Sequence, residues 1–206
     1  MGLKRALLAG VAGPLVLASC GGSSDKASTA ATSANAADTS TSSIAGHVLT
    51  RHEIPPGFTA KRPLVGNTVK GYLAATETPP DQVASETKRL IRLGFVAGAH
   101  EDLRGSGGND GVSIAEQFKT PAGARGEVAN TIRLFKATTA SSYKAFPVTG
   151  IPGAVGLGQT GQQGGVNVAF ASGDYFYLVG AQLPAAASSE AKVIAAAKRL
   201  YGRVHG

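Results

Sequence analysis

Three stretches of the chain repeat apolar residues every three or four positions, which is the spacing of an amphipathic helix. The first begins at the tetrapeptide TPPD (78–81), with a threonine N-cap and proline in the first turn, and ends before Gly94. The second begins at Thr120-Pro121, and the third runs from about Ala186 to Tyr201. The sequence therefore predicts three helices.

Runs rich in β-branched and aromatic residues lie between these helices and predict strands. Runs 95–103 and 112–118 flank a glycine-rich loop, and runs 166–171 and 175–181 flank a tight-hairpin signal, SGD. Weaker runs at 48–51 and 69–73 predict two more strands before the first helix. Because 175–179 is apolar at odd and even positions alike, we expect this strand to be buried on both faces.

This order of elements predicts an α+β fold in which about three helices pack on an antiparallel sheet. Segments 111–115 and 165–169 look alike, and each follows a glycine-rich loop. The similarity comes either from a decayed αββ repeat or from two short strands that obey the same packing rule, and we favour the second interpretation.

The N-terminus has the three parts of a secretory signal. Lys4 and Arg5 are followed by about thirteen mostly apolar residues (6–18), and small residues precede Cys20. A membrane-spanning helix would need about 20 apolar residues, and this run is shorter and contains glycine and proline. The sequence therefore predicts export.

The run LASC (17–20) resembles the lipobox of bacterial lipoproteins. The resemblance implies that the sulfur of Cys20 carries a diacylglyceryl group, that the signal is cut between Ser19 and Cys20, and that in many bacteria the new N-terminus is acylated. Two or more acyl chains anchor a protein stably to a membrane. The alternative is an ordinary cleaved signal with a chance cysteine.

The residues after the cysteine are mostly serine, threonine, alanine and glycine and cannot bury enough apolar surface to fold. We therefore predict a signal peptide at 1–19, a lipidated cysteine and disordered linker at 20–43, and a single globular α+β domain at 44–206. The linker would span on the order of 25 Å. With Cys20 lipidated, the chain has no cysteine left for an internal disulfide.

Three local features of the folded part resemble the PsbP-like α/β sandwich lipoproteins of high-GC Gram-positive bacteria. They are the Gly-Phe pair at 94–95, the turn GIPGA at 150–154, and the closing strand pair with its last helix. The resemblance implies a sandwich of sheet and helices. That class is functionally mixed, so it implies no residue roles.

The chain has a formal net charge of +7, of which Lys4 and Arg5 supply two, so the mature chain would carry about +5. Most of the other basic residues fall on the predicted helices. They form either the solvated outer faces of those helices or a surface that faces anionic lipid or wall polymer. We expect no nucleic-acid partner, because the chain is predicted to be exported and has no recognition module.

Two catalytic patterns occur without the context that their chemistry requires. The G-x-G-x-x-G match at 156–161 is followed by more glycine and a strand, not by a helix that could bind pyrophosphate, and we predict a loop there. S-x-x-K occurs three times, at Ser85, Ser141 and Ser189, without its companion motifs. We therefore predict no catalytic residues, no cofactor and no enzyme activity.

The tripeptide HED (100–102) is a cluster of titratable groups. Because strand side chains alternate, His100 and Asp102 would converge on one face. These two are weak candidates for metal ligands, since a metal site would need a third ligand from a distant part of the chain. That ligand would come from His47, His52 or Glu53. The alternative is a set of surface polar residues beside a hairpin.

The leading functional hypothesis is a non-enzymatic lipoprotein domain, lipid-anchored on the extracytoplasmic face of the cell membrane. Its partner would be an envelope protein, a wall polymer or an apolar ligand. The main alternative is a carrier of lipid or another apolar small ligand, held in a cavity between sheet and helices. A cell-wall hydrolase is a third option, and it would require facing carboxylates or a Ser/His pair within hydrogen-bond reach.

Overall fold

The computed structural model describes residues 44–106, 109–138, 143–159, 164–183 and 186–205. Within these ranges the main elements are four helices and eight strands. In chain order they are β1 (Phe58–Ala60), β2 (Leu64–Gly66), α1 (Val69–Ala75), α2 (Pro80–Leu93), β3 (Phe95–Gly105), β4 (Asp110–Phe118), α3 (Pro121–Thr138), β5 (Tyr143–Pro147), β6 (Val155–Gln159), β7 (Gly164–Ser172), β8 (Tyr175–Leu183) and α4 (Ala186–His205).

The strands form one sheet in the order β1-β3-β4-β8-β7-β6-β5, and β2 also pairs with β3. Each pairing is antiparallel. The predicted α+β class, with helices packed on an antiparallel sheet, is therefore confirmed. Two long hairpins, β3–β4 and β7–β8, join through the β4–β8 pair at the centre of the sheet.

Helices cover both faces of this sheet, and each face has its own core. On the α4 face, α4 and the segment 44–58 pack against inward side chains such as Ala99 and Val179. On the three-helix face, α1, α2 and α3 pack against Ile114 and Leu178. Side chains alternate along each strand, so neighbouring residues contribute to different cores.

Arg203 of α4 fixes the segment 44–54 to this helix. Its guanidinium donates to Glu53 Oε1 at 2.8 Å, to the carbonyl of Gly46 at 2.6 Å and to that of Val48 at 2.7 Å. Burial alone would raise the pKa of Glu53, but hydrogen bonds from Arg203 and from the Thr50 N–H hold this pKa below its ordinary value. The carboxylate is therefore ionised and bound to Arg203 at neutral pH.

The three predicted helices and the SGD hairpin are confirmed. The first helix begins one residue later than predicted, with Pro79 rather than Thr78 at its N-cap. Gly94 ends this helix with φ 77°, in the left-handed conformation that glycine favours. The hairpin turns at Gly173, with φ 58°, and the strand after it is buried from Phe176 onward, as predicted.

The two weak strand predictions before the first helix are wrong. Residues 69–73 belong to helix α1, which Thr68 caps by accepting a hydrogen bond from the Gly71 N–H at 3.0 Å. Residues 48–51 form no strand, and their backbone bonds to a side chain instead, because the Leu49 N–H donates to Ser113 Oγ at 2.9 Å. Strands β1, β2, β5 and β6 were not located by the sequence patterns.

The first four residues of the G-x-G-x-x-G match lie in a strand, β6, and not in a loop as predicted. Gly156 faces the ring of Phe146 on β5, where a Cβ would have no room. The glycine therefore permits an aromatic ring to lie on the strand. The last two residues of the match lie outside the described residues.

Candidate functional site

Strand β3 places the HED tripeptide between the two cores. Gly98 faces the ring of Tyr72 on α1, so the side chains two and four residues further along point to the same three-helix face. The imidazole of His100 is 6% exposed, and its Nε2 lies 3.2 Å from Asp102 Oδ1. The predicted convergence of His100 and Asp102 is confirmed. Glu101 points to the α4 face.

His100 and Asp102 line a pocket of about 430 Å³, which we call the histidine pocket. Its walls come from β3, the start of β4, the end of α1 and the connection between β1 and β2. Charged side chains of both signs border it. The basic ones are Lys61 and Arg104, and the acidic ones are Glu77, Asp102 and Asp110.

Two of these charged side chains form an ion pair with each other, and a third is hydrogen-bonded to His100. Arg104 and Asp110, which are register partners on β3 and β4, form an exposed ion pair. The hydrogen bond from His100 lowers the pKa of Asp102, against the opposing effect of burial, and the charges of Arg104 and Lys61 lower it further. Asp102 is therefore ionised at neutral pH and can only accept, so His100 Nε2 carries the proton between them.

The other ring nitrogen of His100 is buried. His100 Nδ1 is shielded from solvent and has no hydrogen-bond partner among the described residues. In a catalytic triad one nitrogen binds the carboxylate and the other binds the nucleophile. Here the second nitrogen has no hydroxyl or thiol within hydrogen-bond distance, so His100 and Asp102 form no such triad in the part of the chain that the structure describes.

The structure places the candidate third metal ligands elsewhere. His47 lies on the α4 face, where its ring stacks on Tyr175 with centroids 4.2 Å apart and bonds Tyr177 Oη at 2.7 Å. Glu53 is bound by Arg203, and His52 is exposed. In the described part of the chain, no three His, Cys, Asp or Glu side chains are grouped as a metal site would require.

Sequence reasoning missed most of the pocket's walls. Thr76 and Glu77 follow helix α1, which was predicted as a strand, and Glu77 has φ 49°, which no local pattern signals. Arg104 and Asp110 were assigned to a loop. Extending the β3–β4 hairpin by its own register would have paired these two residues.

Cys20 and Ser19 lie outside the described residues, so lipidation and signal cleavage stay predictions. None of the helices that the structure describes is both long and apolar enough to cross a membrane. The sequence-predicted candidates that the structure does place are His100 and Asp102, together with the three candidate third ligands described above.

The fold defines a class: an α+β domain with one antiparallel sheet between layers of helices. The chain is similar in structure to the extracellular domain of PknH from Mycobacterium tuberculosis, with a TM-score of 0.54 and 12% identity, over 79% of this chain and 96% of that chain. At this identity the similarity shows a shared fold alone. No protein-family model and no curated protein matches the chain. The PsbP-like resemblance stays a prediction.

Proposed function

We propose that this protein is a non-enzymatic binding domain, exported and held by a lipidated Cys20 on the extracytoplasmic face of the cell membrane. The signal-like N-terminus and the LASC run support export and anchoring. The likeness of the fold to an extracellular domain is in keeping with this location.

The histidine pocket is the observation that carries the binding proposal. A volume of about 430 Å³ suits a small molecule. Basic and acidic side chains both border the pocket, which favours a ligand that carries charges of both signs. A carboxylate would pair with Lys61 and Arg104, and an ammonium group with Asp102. We therefore propose a small zwitterion as the ligand.

The geometry of His100 supports binding over catalysis. General-base catalysis needs a ring nitrogen within hydrogen-bond reach of the reacting proton. His100 Nε2 is bound to Asp102, and Nδ1 is enclosed, so neither nitrogen is placed for this role. In our proposal the imidazole orients the Asp102 carboxylate and keeps it ionised.

The test is calorimetric titration of the mature chain with free L-amino acids, against matched N-acetyl amino-acid amides that lack both backbone charges. We expect at least one free amino acid to bind and its capped form to bind at least tenfold more weakly. Asp102→Asn should weaken binding about tenfold, in line with the ~1.5–3 kcal/mol of a charged hydrogen bond. Asp81→Asn, an exposed substitution on α2 that removes the same charge, is the matched control.

Failure of every free amino acid to bind, or equal binding of free and capped forms, would refute the zwitterion site. Turnover of any probe would refute the non-enzymatic assignment.

A carrier of apolar ligands is the second candidate function. It rests on a different cavity, which lies on the α4 face of β3 and has apolar walls. Native mass spectrometry of protein purified from its own host tests it, because a carrier should retain a ligand of apolar character.

A further inference from the structure

The segment 49–62 encloses a cavity of about 620 Å³ against the α4 face of β3. Leu49, Ile54 and Phe58 supply its apolar walls. Leu49 and Phe58 belong to the core of this face and Ile54 packs against it, so the walls are held in place by the fold. The volume lies in the range of small-ligand sites. We call this cavity the Glu101 pocket.

Three cationic side chains also line the Glu101 pocket. Arg51, Lys61 and Arg62 are exposed, and none of them forms an ion pair with a carboxylate in the described part of the chain. Three like charges around one opening repel one another and attract an anion. Glu101 is the acidic residue in the lining of this pocket.

One carboxylate oxygen of Glu101 is buried and accepts no hydrogen bond from the residues that the structure describes. The side chain is 5% exposed, and its Oε2 is shielded from solvent without a hydrogen-bond partner among the described residues. Burial raises the pKa of Glu101. None of the three cations forms an ion pair with Glu101 in the part of the chain that the structure describes, so their charge remains available to a ligand.

We propose that the Glu101 pocket binds a small anionic amphiphile, with an apolar chain against Leu49, Ile54 and Phe58 and a carboxylate head paired with Arg51, Lys61 and Arg62. This inference gives the second candidate function a ligand class; it shares Lys61 with the histidine pocket and otherwise does not depend on that pocket.

Other ligand classes match these side chains less well. A cation would meet three like charges. A small polar anion such as phosphate would leave the apolar walls in contact with water, and a neutral hydrocarbon would leave the cations without a partner. An amphiphile that is anionic at one end satisfies both sets of side chains.

The experiment is calorimetric titration of the full mature chain carrying Cys20→Ser, which keeps acyl groups out of the measurement. The probes are decanoate, decanol and vesicles of phosphatidylglycerol. We expect decanoate to bind with a 1:1 stoichiometry and decanol to bind at least tenfold more weakly. Binding to vesicles alone would overturn the pocket in favour of a membrane surface.

Two triple variants distinguish binding of the carboxylate head group in the pocket from attraction by the general positive charge of the protein. Arg51→Gln/Lys61→Gln/Arg62→Gln should weaken decanoate binding at least tenfold. A control triple substitution of exposed helix residues, Lys88→Gln/Arg92→Gln/Lys136→Gln, removes the same charge and should leave it within twofold. All six side chains are exposed, so circular dichroism should show both variants folded. Equal weakening in the two triple variants would overturn the site.

The outcomes also separate this inference from the functions proposed above. Decanol binding as tightly as decanoate would overturn the anionic class and leave a carrier of apolar ligands standing. Binding of neither probe would overturn both. Asp102→Asn should bind decanoate as the parent chain does, because Asp102 lies on the other face of β3.

Discussion

Replacing Glu101 with glutamine should stabilise the protein at about pH 8 and leave its stability at about pH 4 nearly unchanged. Burial raises the pKa of Glu101 from its ordinary value of 4.5 to about 7. Between these values the folded protein holds a proton that the unfolded chain releases. The free energy of unfolding therefore falls as pH rises through this interval.

The magnitude follows from the size of this pKa change. One pKa unit corresponds to about 1.4 kcal/mol, so the ionised carboxylate costs the folded state at most about 3.5 kcal/mol above pH 7. The Glu101 pocket opens to solvent on one side, which screens part of this cost, and we expect about 1–2 kcal/mol. Glutamine has the same shape and no charge, so the variant should not pay the cost of a buried carboxylate at any pH.

The assay is urea unfolding of both proteins at several pH values from about 4 to about 8.5, with the difference in unfolding free energy as the readout. The ion pair of Glu53 and the hydrogen-bonded Asp102 also titrate in acid, but they are common to both proteins and cancel in the difference. Glu190→Gln, a partly exposed carboxylate on α4, is the control and should shift stability by less than about 0.5 kcal/mol.

A difference that stays constant with pH would refute the reasoning, since it would mean that Glu101 is ionised at no cost. A glutamine variant less stable than the parent at about pH 8 would show that the carboxylate has a favourable partner.

Three further changes test the fold and the anchor. Arg203→Ala removes the hydrogen bonds to Glu53 and should cost about 2–3 kcal/mol in urea unfolding, whereas a small surface effect would mean that α4 holds the N-terminal segment by apolar packing alone. Gly180→Ala places a methyl group against the side chain of Asn167 on the neighbouring strand and should cost more than about 2 kcal/mol; a neutral effect would show that this amide can move. Cys20→Ala should release the protein into the medium or leave an uncleaved precursor, as fractionation and intact mass would show; a cleaved, membrane-bound variant would contradict lipidation there.

The sequence predicted those elements whose signals are local. Caps and three-to-four-residue periodicity located α2, α3 and α4, and the SGD turn located the β7–β8 hairpin. Helix α1 has seven residues, too few for its periodicity to be told from that of a strand. Strands β1 and β2 have three residues each and exist because β3 offers them a pairing edge, which no local pattern reports.

The candidate site, too, was predictable from the sequence only where the signal is local. Strand alternation alone placed His100 and Asp102 on one face and Glu101 on the other, because it depends only on the period of two. The pockets on those two faces are closed by other parts of the chain: the end of α1 on one side and the segment 49–62 on the other. Lys61 borders both. The chemistry of each pocket thus depends on long-range docking of segments in which the local patterns wrongly predicted strands. Sequence patterns therefore found the charged residues of β3 but not the side chains that complete each pocket.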